Sequence, residues 1–418
     1  MEHQGIPTRS DEASSRILFL DYLRAMACLL VVVGHVYFLG LNGHEAITPY
    51  VPSITQNIFG ADSALRNVLT TPSIYLTLWA GINVGALGVA IFFLISGFVI
   101  LRTVERESPL EFLIRRAFRI YPVSLTAALF SGAVTSLYCF SSGVVSPHTW
   151  RSMLSSGFIL NGFLHYFEAT PVLWSLEVEL FFYVLMAFLA WRRLLGYRSL
   201  ICASLACMSF TLLANTTMVS SHFSVAANRV MTHLSFAALQ ITFLFIGAVL
   251  YRIVCNNRSI EGGMYLGVAC AAFVAARFGY LSLHGDSGGV DTPDGVWALG
   301  IFVIALWSGM KWSWVRPLKW VGDISYPLYL THVPLAWISL SWFQSRGLDM
   351  LQSSLTTGVF ILFVAWITHI TVEMQSQKVG RLVAAFIAQK LGINRTAIRP
   401  QQPSPYISDG EKVNTFHP

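Results

Sequence analysis

Long apolar blocks alternate with short polar segments along almost the whole chain. Stretches of about 18 or more apolar residues are read as bilayer-spanning helices, because a chain in hydrocarbon must satisfy its own backbone hydrogen bonds. About ten such blocks stand out. They run from Ile17 to Leu41, Ile82 to Leu101, Ile120 to Phe140, Val172 to Trp191, Ser199 to Val219, Met231 to Tyr251, Met264 to Leu283, Gly295 to Met310, Ile324 to Phe343 and Gln352 to Val372. The run from Met153 to Phe163 is too short to cross and reads as re-entrant or interfacial. The pattern predicts an all-α, polytopic membrane helix bundle over residues 17–390, between polar tails at 1–16 and 391–418.

Composition strengthens this reading. Of 418 residues, 55% are hydrophobic and only 11% charged, against roughly 25% charged in an ordinary soluble domain. The N-terminal segment is too polar and too charged for a cleaved signal peptide. Six scattered cysteines without metal-type spacing predict free thiols packed as small apolar groups. A formal net charge of +6 raises nucleic acid as a partner, but the distribution excludes it. Basic residues collect in alternate loops, as at Arg115, Arg116 and Arg119, at Arg192, Arg193 and Arg198, and at Lys311, Arg316 and Lys319. The intervening loops hold only Arg66, Arg151, Arg229 and Arg346. By the positive-inside rule both termini are cytoplasmic.

The informative residues are those that do not belong in lipid. An intramembrane charge costs about 2.5–3.5 kcal/mol on insertion scales and marks a functional site by default. The first block, LDYLRAMACLLVVVGHV, carries Asp21, Arg24 and His35. At about 100° per residue, the eleven positions from Arg24 to His35 leave them about 20° apart on one stripe. Asp21 is one turn from Arg24 and can pair with it. Counting rise along each span puts His35, Glu179 and Arg277 at similar depth, about 10 Å below the outer surface. A buried imidazole beside a carboxylate is suited to take a proton from an alcohol, so His35 and Glu179 form the candidate catalytic pair. Glu179 neutralising Arg277 is the plainer alternative. Arg24 and Ser96 fall in the inner half and His332 near mid-membrane. Arg116 and Arg119 share a helical face suited to a phosphate, although basic clusters at inner ends also simply orient membrane proteins. GINVGALG reads as close helix packing by small residues, and no zinc, hydrolase-elbow or P-loop motif is present.

Five stretches, in order, resemble the membrane acyltransferase-3 family, over about Arg16 to Arg381. They are LDYLRAMACLLVVVGHV, GVAIFFLISGFVI, RRAFRIYP, LWSLEVELFFY and ISYPLYLTHVPL. The resemblance implies transfer of an acyl group, acetyl as the family-level expectation, from acyl-CoA to the hydroxyl of a surface glycan, lipid-linked sugar or related acceptor. It implies that His35 is the catalytic histidine and Glu179 the motif glutamate, with Glu177 an extra acid. The paired arginines fall on Arg116 and Arg119, and Arg24 lines the way in. Ser325, Tyr326, Tyr329 and His332 match the last motif, and Trp174, Ser175 and Tyr183 the fourth. Arg277, Tyr183 and Trp174 are candidate donors to a tetrahedral oxyanion. No metal is required, and a bacterial cytoplasmic membrane is the expected location.

Two other readings fit the same polar residues. A chain of intramembrane Asp, Arg, His and Glu also suits a proton-coupled secondary transporter, but neither an inverted repeat nor a matched pair of broken helices is apparent. An acyltransferase acting on a small secondary metabolite differs only in its acceptor.

Overall fold

The computed structural model describes residues 9–39, 47–54, 75–77, 79–164, 166–214, 225–256, 259–284, 288–308 and 316–392. The described residues form helices joined by turns and contain no strand. In chain order these are α1 (Arg9–Val33), which continues as a π turn (Gly34–Leu39), α2 (Val84–Val104), α3 (Pro109–Ser141), α4 (Trp150–Gly157), α5 (Asn161–Leu164) and α6 (Leu173–Trp191). They continue as α7 (Tyr197–Ala214), α8 (Val225–Asn256), α9 (Ser259–His284), α10 (Thr292–Ser308) and α11 (Arg316–Asp323). The last are α12 (Ser325–Ser345), α13 (Met350–Thr368), a second π turn (His369–Glu373) and α14 (Met374–Lys390).

All ten apolar blocks are helical, with differences in extent. Eight helices among the described residues are long and apolar enough to cross a membrane. Of the other two blocks, α10 is short, and α12 is interrupted where Val333 leaves the helical region ahead of Pro334. The last block runs on through the second π turn to Lys390, well beyond Val372. Helix α1 starts at Arg9, so part of the polar N-terminal segment is helical. The C-terminal tail from residue 393 onward lies outside the described residues. The short Met153–Phe163 run becomes α4 and α5, neither long enough to cross.

Local chemistry accounts for several helix starts. Ser108 caps α3, its Oγ accepting from the Glu111 N–H with Pro109 in the first turn, where a missing N–H costs nothing. Asp349 and Gln352 form a reciprocal capping box at α13, as Thr149 and Ser152 do at α4. All six cysteines are free, with Cys28 and Cys139 buried.

Helix α2 is the centre of the bundle, packing against α1, α6, α8 and α10. Glycine permits this. A methyl on Gly97 would strike the Leu244 carbonyl of α8, and one on Gly247 of α8 would strike the Leu94 carbonyl of α2. Each helix thus supplies the gap for the other's backbone, the small-residue contact used where apolar burial cannot drive helices together. On the other side, a Cβ on Gly34 would come within 2.7 Å of Gly85, and one on Gly88 within 2.6 Å of the Ala27 carbonyl. GINVGALG is therefore a packing surface, and it fixes α1 on α2 directly beside His35.

Two acids, the partly buried Glu168 ahead of α6 and the buried Glu177 in its first turns, lie close together. Glu177 accepts from, or ion-pairs with, His233 at 2.7 Å, and Glu168 lies close enough to feel both. Burial, reinforced by the Glu177 charge, pushes the Glu168 carboxyl from its ordinary 4.5 up to about 7. The neighbouring Tyr50 phenol is pushed up to about 12 by burial and by Glu168.

Two outcomes test this architecture. Gly97→Ala should lower stability by ~1–3 kcal/mol through overpacking, read as a fall in the melting temperature of the detergent-purified protein. Folded Glu168 holds its proton more tightly than the unfolded chain does, so its contribution to stability is lost as pH rises from about 4.5 through 7. Glu168→Gln should therefore match the native melting temperature near pH 4 and exceed it at pH 8. Equal curves at both pH values would remove Glu168 from the balance.

Candidate active site

Four helices that converge on α2's polar face line a cavity of about 790 Å³, a volume that includes open solvent at its mouth. Arg24 from α1, Ser96 from α2, Arg116 and Arg119 from α3, Ser175, Glu179 and Tyr183 from α6, and Ser325, Tyr326 and Tyr329 from α12 all line it. The remaining wall is apolar, with Val89, Phe92, Phe93, Val99 and Leu176 among its members. Residues scattered from position 24 to position 329 thus meet in one space.

The charges in this space are unequal. Among the described residues, Glu179 is the only carboxylate lining the cavity, facing three guanidinium groups. Its Oε1 accepts from Ser96 Oγ at 2.6 Å. Arg24 is half-balanced by Asp21, one turn away at 3.1 Å, as its spacing predicted. Arg116 lies over the rings of Phe112 and Tyr183, at 5.2 and 5.3 Å, and donates to Thr103 Oγ1. Cation–π contact and one hydrogen bond hold it without neutralising it. Arg115 points elsewhere, into ion pairs with Glu107 at 2.7 Å and Glu111 at 2.8 Å. The basic cluster therefore divides: Arg115 is consumed in structure, while Arg116 and Arg119 present charge to the cavity.

Polar anchors fix the rest of the wall. Tyr326 OH donates to the Ile120 carbonyl at 3.1 Å, tying α12 to α3. Ser325 Oγ donates to Gly322. Ser175 Oγ and Tyr329 OH are 2.6 Å apart, and Tyr329 also donates to the Val172 carbonyl.

His35 and His332 do not line this cavity. They face each other beyond its apolar end, with ring centroids 5.2 Å apart in an edge-to-face arrangement. His35 Nδ1 donates to the Val31 carbonyl at 2.9 Å. His332 Nδ1 donates to Tyr329 O at 2.8 Å and Leu328 O at 3.1 Å. A carbonyl only accepts, so in both rings Nδ1 carries the proton and the neutral ring leaves Nε2 as a bare lone pair. His332 Nε2 is fully buried and makes no hydrogen bond. The break ahead of Pro334 explains its geometry. It ends the first half of α12 at His332, leaving the last carbonyls of that half without main-chain partners, and the imidazole takes one of them.

The expected His35–Glu179 pair is thus replaced by two separate groupings. Equal-depth counting assumed that α6 begins level with α2. Instead Trp174, in the first turn of α6, packs on Phe93 in the middle of α2 at 6.0 Å between ring centroids. Its preceding residues Ala169, Thr170 and Val172 are buried within the protein. Glu179 is therefore displaced toward Ser96 and the arginines. Trp174 also packs against Phe236. Arg277, 1% exposed, joins neither grouping: it pairs with Asp291 at 3.2 Å and donates to the Gly288 carbonyl. Glu177, the extra acid, faces His233 rather than the cavity. The imidazole pair was missed by rise counting along single helices, although Pro334, two residues after His332, signals the break that shapes it.

A helix bundle with a cationic cavity and paired imidazoles inside its apolar body is an integral membrane protein with a polar interior. The acyltransferase-3 model, described as an acyltransferase domain, matches residues 17–371. The chain belongs to that family and is a membrane acyltransferase. It is also similar to Nodulation protein 10 of Rhizobium leguminosarum bv. viciae, at 24% identity over 321 residues, covering 70% of this chain and 84% of that protein. No solved structure matches the chain significantly.

Proposed function

We propose that this protein moves an acyl group, acetyl in the simplest case, from acyl-CoA to a hydroxyl of a cell-envelope glycan or lipid-linked sugar at the bacterial cytoplasmic membrane. The observation that carries the reading is the surplus of guanidinium charge in a cavity roomy enough for a ligand and bounded by a single carboxylate. Arg24 has Asp21 as a partner, whereas Arg116 and Arg119 have Glu179 between them in the cavity; an anionic ligand would complete that balance, and a donor with several phosphates supplies one. The distribution of basic residues supports a cytoplasmic arginine end and cytoplasmic termini.

In this mechanism Arg116 and Arg119 hold the donor's phosphates, with Arg24 beside them. Glu179 and Ser96 keep the three guanidiniums from repelling one another and line the path of the pantetheine arm. Nε2 of His35 accepts the proton of the acceptor hydroxyl. The acceptor oxygen attacks the thioester carbonyl carbon, the C–S bond breaks, and the departing thiolate recovers the proton from the imidazolium. The main-chain bond to Val31 keeps the base in its reactive tautomer, the role first expected of Glu179. No metal or additional nucleophile is needed for these steps.

Calorimetry with acyl-CoA and the detergent-purified protein tests the donor site without knowledge of the acceptor. Arg116→Ala/Arg119→Ala should weaken binding at least tenfold, while Arg115→Ala should lower thermal stability and leave binding within about twofold, as expected of a partly buried ion-pair cluster outside the cavity. Equal losses in both variants would return all three arginines to a topological role. His35→Ala should lower acyl transfer to envelope glycans by roughly 10²–10⁴, the usual contribution of a general base, measured by mass analysis of the glycans. Retained transfer would reject His35 as the base.

A further inference from the structure

The donor cavity and the imidazole pair are linked by ring contacts. Two rings, Phe92 and Tyr329, are packed edge to face with centroids 5.7 Å apart. Both line the cavity. Tyr329 lies 6.1 Å from the His332 ring on its other side, and Phe92 also packs against the cluster of Cys28, Val32 and Val36 on the helix that carries His35.

The two rings are held differently. Tyr329 is anchored through its phenol to Ser175 Oγ and the Val172 carbonyl. Phe92 has no polar atom and is only partly buried, so apolar contacts alone hold its ring. Turning it costs a rotamer change, whereas turning Tyr329 also costs two hydrogen bonds.

We propose that Phe92 is the movable half of a two-ring gate at the acyl end of the donor cavity, with Tyr329 as its fixed post. This gate makes Phe92 the residue that limits the acyl group to a short chain of two to four carbons. The inference rests on the acyl-CoA reading above and adds to it the class of acyl group. A short acyl group passes the displaced ring and brings its carbonyl to the imidazoles. A longer one leaves methylenes against Phe92, in the volume the ring must swing through.

The test compares CoA, acetyl-CoA and hexanoyl-CoA binding to the full-length protein in detergent by calorimetry. Each acyl affinity is expressed relative to the same variant's affinity for CoA. In the native protein hexanoyl-CoA should bind at least tenfold more weakly than acetyl-CoA, and Phe92→Ala should close that gap to threefold or less. Phe92→Leu, which keeps more of the packing, should fall between them and serves if the alanine variant fails to fold. A native protein indifferent to chain length, or a gap unchanged in folded variants, would overturn the gate while leaving the donor site intact. Failure of the native protein to bind CoA at all would overturn the donor reading itself.

Discussion

A single carboxylate among three guanidinium groups, inside an apolar body, is the constraint on which the site's arrangement turns. Charges removed from water are tolerated only where partners and hydrogen bonds are supplied. Glu179 is aimed at this task by Ser96 from α2, while Phe112 and Tyr183 hold Arg116 between them. Helix α1 contributes Arg24, α3 both Arg116 and Arg119, α6 Glu179 and α2 the Ser96 that bonds it, so a shift of any one along its axis disturbs the balance of charge.

The two imidazoles are organised by a different device. Their partners are carbonyls of their own helices, so each ring is oriented locally and the pair is assembled by helix packing alone. Trp337 completes the join, its indole N–H donating to the His35 carbonyl at 3.1 Å. That bond ties the second half of α12 to the π turn of α1 across the histidines. The break at Val333 and Pro334 thus separates two tasks: the first half of α12 supplies Tyr329 and His332, and the second half holds His35's backbone in place.

Much of this was legible in the sequence. The ten apolar blocks are all helical because backbone satisfaction in lipid leaves little alternative, and the Asp21–Arg24 pair follows from spacing along one helix. Relations within an element were read correctly because helix periodicity fixes them. Relations between elements were not. The relative height of α6 depends on how the segment before it is buried, which periodicity does not encode, and Glu179 was accordingly placed beside the wrong partner. Arg115 and Arg116 are adjacent in sequence and both basic, and only three-dimensional packing assigns one to Glu107 and Glu111 and the other to the cavity. Phe92 carried no signal at all, since one phenylalanine in an apolar block is indistinguishable from its neighbours until it is seen packed on Tyr329 at the cavity wall.

The carbonyl partners of the histidines bear on the conditions under which the protein works. A carboxylate that orients an imidazole is itself a weak acid, and an acidified compartment silences it by protonation. A peptide carbonyl has no such equilibrium in the physiological range. Whatever acidity prevails on the side from which the acceptor arrives, the orientation of His35 and His332 stays constant, and only the proton affinities of the rings themselves remain to respond. The design separates aim from titration.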